Sequence, residues 1–167
     1  MTPQPTPQIP MEKIRHHVEN ILKLQPFMTL LNLKIDTLER GSVQLSIPYD
    51  KKLTQHHGFI HGGVIGALAD CACAVAGGSV TGDLVTQEYK LNFLAPAKAD
   101  HFIVRANVIR AGKRQTVCSA DVYAITNDQK NTKDQKSTND QKNTKNQEKH
   151  IATAMATLMP VDYTVAQ

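Results

Sequence analysis

Cysteine, aromatic residues and any recognisable leader are what this sequence has least of. Its three cysteines, Cys71, Cys73 and Cys118, are an odd number without Cys-x-x-Cys spacing. That argues against a disulfide framework and against a zinc site, and favours a reducing compartment. The start, "MTPQPTPQIP", has neither the basic opening nor the apolar stretch of a signal peptide. No uninterrupted apolar run reaches the roughly 18 residues that suggest a membrane span. A soluble, cytoplasmic protein with no membrane insertion is the expectation. Concentrated positive charge is missing too: the net charge is +4, but within 127–150 six lysines face four acids, so half of the excess lies in one polar tract. No nucleic-acid partner is expected.

What remains is one domain's worth of chain at 167 residues. Residues 1–10 carry four prolines among Thr and Gln and read as a disordered lead-in. From Met11, Ile14, Val18, Ile21 and Leu22 recur at helical spacing until Pro26, which predicts an amphipathic helix that covers something. "PFMTLLNL" follows as a short helical turn. "KIDTLERGSVQLSIP" alternates on both sides of a turn at Gly41, a hairpin signature. Segments 84–95, 102–110, 116–126 and 151–159 alternate as well, and "AGKR" makes a tight turn after Arg110. The total is about six strands in one domain over 11–160, with 161–167 as a tail. The tract 127–150 is a degenerate hexapeptide repeat without an apolar period and reads as a low-complexity loop expanded inside a hairpin.

Between the second and third strands lies "HGGVIGALADCACAVAGG", residues 61–78. It predicts a helix that opens at Gly62-Gly63, is apolar or small on nearly every face, and stops at Gly77-Gly78. Such a helix suits the inside of a curved antiparallel sheet. Asp70 breaks the pattern. A carboxylate there loses hydration, at a cost of about 1–3 kcal/mol or more unless it is paired or hydrogen-bonded. The same loss makes it a stronger base, suited to activating water or attacking a carbonyl; a structural hydrogen bond at a helix interface is the alternative. Gly62 and Gly63 offer backbone N–H groups at the positive end of the helix, where a carbonyl becoming an oxyanion would sit. The eight residues from Gly62 to Asp70 span about 12 Å of helix at about 1.5 Å each. An Asp side chain cannot bridge that, so if both act on one carbonyl they come from two subunits.

"HGGVIGALAD", "KLNFLAPAKAD", "VIRAGKRQTVCSADV" and "IATAMATLMP", in this order, resemble the hotdog-fold acyl-CoA thioesterases, in particular the phenylacetate-pathway type. The resemblance covers roughly 11–160 apart from the repeat tract. It implies an α+β fold, a long central helix wrapped by an antiparallel sheet of about six strands, dimerised sheet to sheet. It implies hydrolysis of acyl-CoA to free acid and coenzyme A by a homodimer, with a dimer of dimers left open, and it implies no cofactor or metal. Carried over by position, the catalytic acid falls on Asp70 as general base or nucleophile, and the carbonyl-polarising N–H on Gly62 of the opposite subunit. His61 falls beside the thioester in a supporting role. Gln55 takes the place of a side-chain amide that positions water or carbonyl, and Thr86 that of a hydroxyl assisting the acid. Gly63 joins the substrate site, and Arg110, Lys113 and Arg114 are candidate partners for the coenzyme A phosphates. His56 and His57 match no family feature and are read as an exposed loop. Small helix residues Ala67, Cys71 and Ala74, with only four Phe and four Tyr in the chain, favour a fatty acyl group over an aryl one. The same fold also hosts dehydratases and non-catalytic acyl-CoA sensing modules. The sensing module is the alternative.

Overall fold

The computed structural model describes residues 9–126 and 147–161. The apolar stripe after Met11 forms helix α1 (Met11–Lys23), and Pro26 at the first position of the next element opens the short α2 (Pro26–Leu30). Strands β1 (Lys34–Glu39) and β2 (Ser42–Pro48) make the expected hairpin, with Gly41 at φ +82° in the turn. Helix α3 (Gly62–Thr81) intervenes before β3 (Leu84–Phe93), β4 (His101–Ala111), β5 (Thr116–Thr126) and β6 (Gln147–Pro160). All six strands pair antiparallel in one sheet, in the order β1-β2-β4-β5-β6-β3. β3 and β1 are therefore the two edges.

The core lies between α3 and the concave face of the sheet. Val43, Leu45 and Ile47 of β2 and Val104, Cys118, Val122 and Leu158 on the other central strands are almost fully buried against Leu68, Ala72, Cys73 and Ala76 of α3. By length and composition α3 alone could cross a membrane, but most of it is buried inside this sheet. The three cysteines are free thiols within the same core.

Two boundaries differ from expectation. Gly77-Gly78 does not stop α3, which runs on to Thr81 and ends at Gly82, whose φ of +88° supplies the left-handed turn. A Cβ at Gly77 would lie 2.7 Å from Leu84 Cδ1, so this glycine lets β3 press against the helix. Gln147–His150, expected within the polar tract, belong to β6, with Gln147 opposite Thr126 of β5. Residues 127–146, like 1–8 and the tail after 161, lie outside the described residues.

Candidate active site

β3 runs along α3 and places one side chain after another against it. Leu84 lies at Gly77, Thr86 at Asp70, Tyr89 and Leu91 at Gly66, and Phe93 at Gly62. Strict alternation cannot put both Thr86 and Tyr89 on one face. A bulge does: the register with β6 shifts between Thr86 and Glu88, adding one residue to β3. The bulge brings together two predicted residues, and Thr86 Oγ1 donates to Asp70 Oδ1 at 2.6 Å. Asp70 Oδ2 has no hydrogen bond among the described residues, so one oxygen is oriented and the other is not.

The opening of α3 is held by His61. As N-cap, its Nδ1 accepts from Gly63 N–H at 2.9 Å, and its carbonyl accepts from the N–H groups of Val64 and Ile65. An accepting Nδ1 puts the ring proton on Nε2. Of the first-turn amides, Gly62 N–H alone has no partner among the described residues, and Phe93 lies over it with Cζ 2.9 Å from where a Cβ would stand. Gln55 sits in the preceding loop, closed by the Thr54–Ile60 bridge, where its Oε1 accepts from His57 N–H at 3.0 Å. His56 and His57 are exposed, with ring centroids 3.9 Å apart.

Within one chain, Gly62, Gly63 and His61 do not meet Asp70 and Thr86, since the helix separates them by about 12 Å. Arg110, Lys113 and Arg114 are exposed around the β4–β5 turn. That turn leads into Thr116, which pairs with Leu158 of β6, and Leu158 pairs in turn with Thr86. Two strand spacings, about 10 Å, separate the base of the turn from Thr86. The three cations thus flank the Asp70 end of the sheet without touching the carboxylate.

Asp70 and Thr86 also line a chamber of about 850 Å³ between α1 and α3. Cys71 shares that wall, but burial and the neighbouring Asp70 push its thiol up to about 12, so it stays protonated at neutral pH and is a poor nucleophile. Among the described residues no group of three or more metal-ligating side chains occurs. The contribution of α1 to this chamber, and of Tyr89 and Phe93 to the helix face, escaped the sequence reading. The broken alternation of "LVTQEYKLNF" was the signal available for β3.

A long small-residue helix packed on a single six-stranded antiparallel sheet defines the hotdog class of proteins. The comparisons agree. The family model "Thioesterase superfamily" matches residues 57–130. A "Putative esterase" of Saccharolobus solfataricus is 34% identical over 108 residues, 64% of this chain and 72% of that protein. A thioesterase family protein of Silicibacter pomeroyi superposes with a TM-score of 0.74 at 36% identity, over 87% of this chain and 96% of that one. The PaaI protein of E. coli, from the phenylacetic acid degradation operon, shares the fold at 19% identity and a TM-score of 0.72, over 90% of this chain and 95% of its own. This chain belongs to the thioesterase superfamily. Its α1 lies outside the residues matched by the family model.

Proposed function

We propose that this protein hydrolyses acyl-CoA thioesters to a free acid and coenzyme A, in sites shared between two subunits. The observation that carries the reading is the Thr86–Asp70 hydrogen bond of 2.6 Å at the wall of an apolar chamber. Gly62 N–H of one subunit polarises the thioester carbonyl and stabilises the oxyanion. Gln55 positions the water or the carbonyl. Asp70 of the other subunit either takes a proton from water as it attacks, or attacks the carbonyl carbon to give an anhydride that water then cleaves. Either route expels coenzyme A as the thiol. His61 acts by holding the helix opening in place, Gly63 lies beside the bound carbonyl, and Arg110, Lys113 and Arg114 meet the coenzyme A phosphates. Free, buried thiols suit a cytoplasmic location.

The test is steady-state release of coenzyme A from a panel of acyl-CoAs, for the wild type and for Asp70→Asn, which keeps the side chain's shape and loses its charge. A loss of about 10²–10⁴-fold in kcat, in a variant that remains folded, is expected for removal of the general base. A wild type that binds acyl-CoA without turning it over would make the protein a sensing module instead.

A further inference from the structure

The space between α1 and α3 is more voluminous than the groove of about 470 Å³ on the other side of α1. It lies open over about 850 Å³ as a solvent-connected groove beside a buried apolar helix. Ile14, Ile21, Leu22 and Met28 line this space and are only half-buried, and Ile14, Leu22 and Met28 also pack against the core. The opposite wall is a stripe on α3: Asp70, Ala74 and Gly78, one turn apart and progressively smaller. α1 is fixed over the stripe by two polar ties: His17 Nε2 lies 3.0 Å from Asp83 Oδ1, and Arg40 Nη2 donates to the Ile9 carbonyl at 2.6 Å.

We infer that this chamber takes the acyl chain of the substrate, that the chain is linear, aliphatic and of medium length, and that Ala74 and Gly78 set how far it reaches. The inference rests on the thioesterase reading, because it is Asp70 at the wall that makes the chamber the place for an acyl group. Two features carry it further. No Phe, Tyr or Trp of the subunit that supplies Asp70 lines the chamber among the described residues, so this wall offers an aryl group nothing to stack on. The stripe from Asp70 to Gly78 is about 12 Å long, which gives an extended chain a narrow track along small residues.

Gly78 is the position to probe, since nothing lies within 4 Å of where its Cβ would stand. Gly78→Leu puts an isobutyl group on the chamber wall at a position where the Cβ itself meets no neighbour, and Ala74→Val is a smaller intrusion nearer Asp70. The measurement is kcat/KM for butanoyl-, octanoyl-, palmitoyl- and phenylacetyl-CoA, with a thermal melt to verify folding. The wild type should prefer octanoyl-CoA, and Gly78→Leu should shift the octanoyl-to-butanoyl ratio toward butanoyl by about tenfold or more, with Ala74→Val shifting it in the same direction. Equal losses at every chain length, or a wild type that prefers phenylacetyl-CoA, would overturn the inference while leaving the hydrolase reading intact. If no thioester is cleaved, that reading fails, and the chamber is judged by binding of the fluorescent fatty acid cis-parinaric acid. Saturable binding weakened in Gly78→Leu supports an aliphatic site, and no binding rejects it.

Discussion

Gly62 combines two requirements in one residue. Its N–H has no partner among the described residues, and it has no side chain where Phe93 comes closest. Gly62→Pro separates the donor from the backbone shape. Proline is well tolerated at the first position of a helix, and the preceding His61, at φ −63° and ψ 136°, already has the conformation that proline demands of its predecessor. The exposed Phe93 ring can move aside. The variant should fold as the wild type does and keep its oligomeric state, but lose about 10²–10³-fold in kcat, the usual effect of removing one oxyanion donor. Circular dichroism beside steady-state kinetics checks both halves. Asp70 was legible in the sequence because a carboxylate on an apolar helix needs a reason. Its hydrogen bond to Thr86 was available only through family resemblance, since it depends on a bulge that simple alternation does not mark.

The main elements follow from sequence pattern because each has one dominant period: Ile14, Val18, Ile21 and Leu22 for α1, and the buried alternation of β2 and β5. The end of α3 was read too early because a glycine pair was taken as a stop. A helix C-terminus calls for a residue able to turn left-handed, and Gly82 supplies it. Gly77 and Gly78 are helical and serve different neighbours. A Cβ at Gly77 meets Leu84, Thr116 and Cys118 at 2.7, 3.4 and 3.5 Å, whereas one at Gly78 meets nothing. Glycine in a helix interior is less favourable than alanine by about 0.8–1.0 kcal/mol. Gly78→Ala should therefore stabilise the protein by up to about 1 kcal/mol in chemical denaturation. Gly77→Ala gains the same propensity but overpacks the helix against β3 and β5, at a cost of about 1–3 kcal/mol. It should come out less stable than Gly78→Ala and no better than the wild type.

At the scale of the whole molecule, the unexplained surface is the edge at β3. The strand has ten residues and pairs only with β6, so its outer row of backbone donors and acceptors has no strand beside it among the described residues. Phe93, Tyr89 and Val85 remain 58%, 42% and 39% exposed. A long edge strand carrying apolar side chains is a template for another chain, and a second copy meeting it antiparallel would continue the sheet across a two-fold axis. The same event would place the opening of one α3 near the Asp70 of another, which the 12 Å helical separation forbids within a chain. The consequence is a complementation experiment. Asp70→Asn and Gly62→Pro should each be nearly inactive alone. Unfolded together and refolded, they form heterodimers in which one site takes Gly62 from the first subunit and Asp70 from the second, both native, while the other site carries both lesions. Activity should therefore return on mixing, in step with the heterodimer fraction measured by native mass spectrometry. If each site lay within a single chain, every site in the mixture would carry one lesion, and mixing would restore nothing.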